Sequence, residues 1–295
     1  LAGNDAFGGD SPSRAKQTIQ AAVRQVVPGG KIIVASGTYS ENVTVTKPLA
    51  LLGPNPDVCA NAADSPTLAN PMRMAESTIA ASSGNALTIA PDVDNVVIAG
   101  FRIVAPSAAG IVARNAEAPG FDAIRIANNI FDGFGDGAIT SVNANRTAWQ
   151  ITCNRLVNGP AAGQTAVSLL DGENRGLIVR DNFFAGSATV DGACALEIDS
   201  AVDSAVTNNH ISGFSADAIL LRVRAFNVTI SDNIISNVGV AIHLLASGAG
   251  ASDWLESVFV QNNAIFDVGN AAILLARPDG AVGNGVAELC LCGNR

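Results

Sequence analysis

One six-residue phrase recurs along the chain about every 27 residues, and it limits the fold more than any other feature. It reads Ile126-Ala-Asn-Asn129-Ile-Phe131, Ile151-Thr-Cys-Asn154-Arg-Leu156, Val179-Arg-Asp-Asn182-Phe-Phe184, Val206-Thr-Asn-Asn209-His-Ile211, Ile230-Ser-Asp-Asn233-Ile-Ile235 and Val260-Gln-Asn-Asn263-Ala-Ile265. A second phrase, Ala-[ILV]-x-L, falls between the copies, as in Ala166-Val-Ser-Leu169, Ala195-Leu-Glu-Ile198, Ala218-Ile-Leu-Leu221, Ala241-Ile-His-Leu244 and Ala272-Ile-Leu-Leu275. Apolar residues at i and i+2 mark short strands, and no segment between them has the length or period of an amphipathic helix. A fixed period of this kind means a solenoid. Two or three short strands per repeat close as one coil of a parallel β-helix, stacked at the inter-strand spacing of about 4.8 Å.

Stacking then makes definite assignments. Ile139, Val167, Leu196, Ile219, Ile242 and Ile273 form one inward ladder, and Val206, Ile230 and Val260 belong to another. Phe131 and Phe184 are core. The six recurring asparagines occupy one turn position, where each amide can bond the next and the backbone can be left-handed. Cys292 takes the same slot in the last coil as a small buried filler. At the other end, Ser11 or Ser13 opens a capping helix whose face carries Ala15, Ile19, Ala22, Val23 and Val26, and which Pro28-Gly29-Gly30 ends. The expected organisation is a cap over residues 1–30 and one continuous β-helix of about nine coils over 31–295. No polar cap follows Cys292, so further chain or a partner is expected to cover that end.

Composition agrees with such a core and removes other classes. Hydrophobic residues are 48% of the chain, aromatic residues only 5% and charged residues 15%, so the interior is Ala, Val, Ile and Leu. That much aliphatic surface excludes disorder. The longest uncharged stretch, 233–252, is broken by polar residues and glycines, which argues against a membrane span. A net charge of −9 makes nucleic acid a poor partner. Five cysteines without C-x-x-C and only two histidines meet no zinc template. Cys290 and Cys292 share a strand face, a placement read as poor for bonding each other. No signal peptide opens the chain at Leu1, which reads as a processed product or an excised region.

Gln17-Thr-Ile-Gln-Ala-Ala-Val23, Lys31-Ile-Ile-Val-Ala-Ser-Gly-Thr-Tyr-Ser-Glu-Asn-Val-Thr-Val45 and Lys47-Pro-Leu-Ala-Leu-Leu-Gly53 resemble the opening of pectin-lyase-like proteins, in particular NosD-type and pectin-methylesterase-like chains. The resemblance implies a right-handed parallel β-helix and an extracellular or periplasmic location. It spans lyases, hydrolases, esterases, epimerases, phage tailspikes and non-enzymatic surface proteins, so it does not select an activity. The Asn-Thr-Asp, Asp-Asp and Gly-His-Gly signatures of polygalacturonase-like hydrolases are not matched. Neither are the Lys-plus-Arg pair of the lyases nor the Gln and Asp motifs of the methylesterases.

Chemistry is expected on the outward face of the Ala-[ILV]-x-L strands. Glu197, Asp199, Arg222, Arg224 and His243 gather there on three successive coils. A uronate lyase or epimerase needs a cation for the sugar carboxylate, a base and an acid, and Arg222, His243 and Glu197 could supply them beside Asp199. The alternative is an Asp199–Arg222 ion pair with its neighbours solvated. Arg224 and Trp254 are candidate ligand contacts. Leu170, Leu220, Leu245 and Leu274 face outward on the same sheet, as a stripe for a covering loop, a second copy or a ligand. Asp132, Asp136, Asp171 and Glu173 carry oxygens suited to calcium, but their Asp-Gly pairs also make ordinary turns; no metal or other cofactor is assigned. The expected function is a secreted or cell-surface repeat protein, structural or polysaccharide-binding. The competing one is a polysaccharide lyase or epimerase for an acidic glycan.

Overall fold

The computed structural model describes residues 3–62, 65–114, 120–246, 255–276 and 286–295. The chain winds as a parallel β-helix with three faces. Sheet I contains Gly137–Val142 and Thr165–Leu170, and sheet II contains Arg125–Ala127, Gln150–Thr152 and Ile178–Arg180. Sheet III contains Ile130–Phe134, Arg155–Val157 and Phe183–Ala185. From Cys194 the strands run through the corners as longer segments. About seven regular turns stack from Ala109 onward, and the two opening coils before them bring the number near the expected nine.

The predicted ladders are present in register. Sheet I stacks Val43, Leu87, Ile111, Ile139, Val167, Leu196, Ile219, Ile242 and Ile273. All but Ile273 are buried. Sheet II stacks Val206 on Ile230 on Val260. Phe131 and Phe184 are fully buried in sheet III.

The turn from sheet II to sheet III shows why asparagine recurs. Asn154 donates its backbone N–H and its Nδ2 to Oδ1 of Asn182, at 2.9 and 3.1 Å, and sends Nδ2 back to the Ile126 carbonyl at 2.9 Å. The same pattern links Asn129, Asn182, Asn209, Asn233 and Asn263. A buried backbone N–H at each corner is thus satisfied where no strand can reach it. Two details differ from expectation. The left-handed residue is the one before each ladder Asn, namely Asn128, Cys153, Asp181, Asn208, Asp232 and Asn262 with φ between 54 and 59°. Burial leaves the ladder Asn no such freedom, so Asn, Asp and Cys absorb it one position earlier. In the last coil the slot belongs to Asn294, which accepts from Asn263. Pairing of Val260 with Leu291 puts Cys292 two places short of it.

Cys292 is instead bonded to Cys290. Same-face residues two apart lie 6.0 Å apart at Cα, inside the range a disulfide spans, so the shared face permits the bond it was expected to prevent. A second disulfide, Cys59–Cys153, joins residues 94 apart. It fastens an excursion between Gly53 and Glu76 onto the asparagine corner. Ala60 N donates to the Cys153 carbonyl at 3.0 Å, and Asn61 Nδ2 to the Asp181 carbonyl at 3.1 Å. Arg73, almost wholly buried, pairs with Glu76 at 2.7 Å and donates to the Asn128 carbonyl at 2.9 Å.

The cap exists but starts later than expected. Pro12–Arg14 is one 3-10 turn, and the α-helix is Ile19–Gln25. Neither Ser11 nor Ser13 is its N-cap. Thr18 Oγ1 accepts from Ala21 N at 3.1 Å, and Glu41 accepts from Ile19 N and Gln20 N at 2.8 and 2.9 Å. A carboxylate from the first coil therefore satisfies the first-turn donors and fixes where the helix begins. Ile19 and Val23 are buried against the coil interior. Among the described residues no helix is long and apolar enough to cross a membrane.

Candidate functional site

The outer face of sheet I carries two columns of side chains. One runs Thr140, Ser168, Glu197, Leu220, His243 and Leu274; the other runs Val142, Leu170, Asp199, Arg222, Leu245 and Ala276. Arg222 lies one coil beyond the two carboxylates and reaches both. Its Nε and Nη2 meet Asp199 at 2.8 and 3.2 Å, and its Nη1 meets Glu197 at 3.0 Å. Glu197 also accepts from Thr165 Oγ1 at 3.1 Å, and Asp199 from the Asp171 N–H at 2.9 Å. The hydrogen bonds that Arg222 donates to Asp199, outweighing partial burial, raise the Arg222 pKa further. All three nitrogens of the Arg222 guanidinium and all four carboxylate oxygens of this trio have a protein partner.

His243 stands apart from the trio. Leu220 separates it from Glu197 in the column, and its Nδ1 lies 3.3 Å from Asp217 Oδ2. Among the described residues its buried Nε2 has no hydrogen-bond partner. Arg224 points away into a surface network, paired with Glu173, which also holds Arg175 at 3.0 Å. Glu173 is thus committed to arginines, while Asp171 is a left-handed turn residue with φ of 53°. Trp254 lies outside the described residues. The four leucines do not make a stripe: Leu220 and Leu274 flank His243, and Leu170 and Leu245 flank the Asp199–Arg222 pair, with Leu220 itself buried.

Several functional-looking groups escape the sequence reading. Arg146 is 1% exposed and donates to the Ser141 and Leu170 carbonyls at 3.2 and 2.6 Å, so it ties the ends of two sheet I strands. Burial pushes its pKa down to about 10, with Asp199 and Asp171 opposing the shift. Cys194, in the same column as Asp217, is a free thiol whose pKa burial raises, the reverse of an activated nucleophile.

A cleft lies on the next face. Sheet III carries outward Arg102, Ile130, Arg155, Phe183, His210 and Ile234 in one column. The Arg155 guanidinium sits 4.4 Å from the Phe183 centroid, and the His210 ring stacks on Phe183 at 5.3 Å. Arg155 forms part of a cavity of about 490 Å3, walled by Val157, Pro160 and Ala185 and by Asn158 and Ser187. Asp132 is pinned beside it by Arg102 and by Asn158 Nδ2 at 2.7 Å. Burial alone would raise the Asp132 pKa, but the Asn158 and Arg102 bonds and the charges of Arg102 and Arg155 hold it below the usual range. The signal was present in the repeat: read across the slot after each ladder Asn, three successive coils give Arg155, Phe183 and His210.

A comparison with curated proteins finds no sequence match. Among solved structures, a GH136 lacto-N-biosidase from Eubacterium ramulus is similar over 99% of this chain and 66% of its own, just under two thirds, with 12% identity and a TM-score of 0.51. A pectin methylesterase from Aspergillus niger is similar over 100% and 84%, at 14% identity and a TM-score of 0.42. An alginate lyase from a Paenibacillus species is similar over 92% and 95%, at 13% identity and a TM-score of 0.41. At these identities the likeness is one of fold. Residues 109–284, more than half of the chain, match the family described as the right-handed beta helix region, and the chain belongs to that family.

Proposed function

We propose that this chain is a secreted or cell-surface β-helix that binds a polysaccharide on its outer face without cleaving it. The observation that carries this reading is the state of Arg222. A lyase or epimerase acting on a uronate needs a cation available to the sugar carboxylate and a base available to its proton. Here Arg222 is bonded to Asp199 and Glu197, and Arg224 to Glu173. The Cys59–Cys153 disulfide supports an oxidising compartment. The lacto-N-biosidase, methylesterase and alginate lyase with related folds are named for glycan substrates, which fits a glycan partner.

One observation favours the lyase or epimerase reading instead. Asp217 lies within hydrogen-bond distance of His243 Nδ1, and among the described residues the buried Nε2 has no partner, which would suit a base once the site opens. A glycan array with parallel assay of unsaturated or shortened products separates the two. Retention of glycans with no product is the expected result. Product formation by the wild-type chain that is lost in His243→Ala would replace binding with catalysis.

A further inference from the structure

We propose that the open edge of the strand Gly30–Ile33 is a docking site for an extended, acidic peptide segment of a partner protein, which joins sheet II as one more strand. This goes beyond the glycan reading and concerns a different end of the molecule. Gly30–Ile33 is the first strand of sheet II and pairs on one side only, with Leu49–Leu52. Val34 donates its N–H to the Leu52 carbonyl at 2.8 Å. Bonding groups alternate between the two edges of a strand, so Ile32 faces Leu49–Leu52 as Val34 does. Lys31 and Ile33 turn their N–H and C=O groups the other way. Among the described residues nothing bonds those groups.

The opening strand of sheet I is protected where this one is not. There the capping helix lays Gln20 on the edge of Val43–Val45, accepting from the Thr44 N–H at 2.7 Å and donating to the Thr44 carbonyl at 3.3 Å. That side-chain amide stands in for a neighbouring strand. Along the edge of sheet II runs a cavity of about 740 Å3. Five consecutive residues, Lys31 to Ala35, line it, which a strand offers only along its edge, and Ile19, Ala22 and Val26 add an apolar wall. An acyl chain would fill the space but strand the backbone groups of Lys31 and Ile33. A second extended backbone matches their donors and acceptors and sends alternate side chains to the apolar wall. Charge selects an acidic segment. Residues 1–53 hold five basic and three acidic side chains, a balance of +2 on a chain of net charge −9. Lys31 makes no ion pair among the described residues, and Asp10, the one acid in the lining, is held by Arg14 at 3.6 Å.

The probe is a fluorescein-labelled decapeptide that alternates valine with glutamate or threonine, titrated into the full chain by fluorescence polarisation. Beside it stand a scrambled peptide of the same composition and a copy with lysine in place of glutamate. The alternating acidic peptide should bind at least tenfold more tightly than either control, and hydrogen exchange should show the Lys31 and Ile33 amides slowed in the complex. Ile33→Pro deletes one free N–H and spares the edge bonded to Leu49–Leu52, so it should weaken binding at least tenfold with thermal unfolding unchanged. If Ile33→Pro does not fold, two other measurements decide. Lys31→Glu should reverse the preference between the acidic and lysine peptides. N-methylation of the valines or of the intervening residues should abolish binding in one case and spare it in the other. No binding of the alternating peptide, tighter binding of the lysine copy to the wild-type chain, or binding that survives both N-methylations would overturn the proposal. A dimer in solution that Ile33→Pro dissociates would also overturn it, because a second copy would then fill the edge.

Discussion

Arg222 and Arg155 are two half-buried arginines on adjacent faces of one solenoid, and their surroundings differ. Arg222 meets Asp199 and Glu197 through three nitrogens. Arg155 lies over the Phe183 ring, acts by its charge on the Asp132 carboxylate that Arg102 binds, and lines a cleft. Five ionisable residues on three coils mark sheet I as the richer face by count. The comparison teaches that clustered charge measures mutual neutralisation first. A ligand site needs space beside its polar groups as well as charge.

The largest expected effect comes from the bond that fastens the excursion to the corner between sheets II and III. Cys59–Cys153 closes a loop of 94 residues, for which chain-entropy arguments give roughly 4–5 kcal/mol. Cys59→Ala with Cys153→Ala should therefore lower the unfolding free energy by about 4 kcal/mol in denaturant titrations. A loss below about 1 kcal/mol would mean that the excursion from Gly53 to Glu76 is held by its hydrogen bonds alone. The next test separates the faces. Arg222→Met strands two carboxylates with side chains 14% and 6% exposed, and should cost about 2 kcal/mol, discounted because Arg222 itself keeps 31% exposure. Glu197→Gln with Asp199→Asn in that background should recover most of the loss.

How far the sequence could be read follows from what repeats. The ladders were legible because Ile139 through Ile273 and Asn129 through Asn263 each obey one rule every coil. The neighbours Asp199 and Arg222 were legible for the same reason, as strand register alone brings them together. What the repeat does not encode was missed. Thr18 caps the helix because Asp5 and Glu41 come from outside it, and Cys59 meets Cys153 across 94 residues. Asp217 precedes the Ala-[ILV]-x-L phrase where the register shifts, so its contact with His243 had no template. The Arg155–Phe183–His210 column sat in a variable slot of the template, where variability hid a column as continuous as any ladder.

That column gives the smallest effect, and it bears on the comparison from the Arg155 side. His210 packs on Phe183, its Nδ1 is buried without a partner, and burial lowers its pKa below 6.5. The folded protein thus binds the His210 proton less readily than the unfolded chain does. Its contribution to stability is complete above pH 6.5 and falls as pH drops from there through the lower folded value. Protonation would also place a second cation against the ring that already carries Arg155, so the cleft and the fold should weaken over the same interval. Unfolding free energies measured from pH 7.5 down to pH 5 should fall more steeply for the wild-type chain than for His210→Gln. Parallel curves would show that the stack reads no proton.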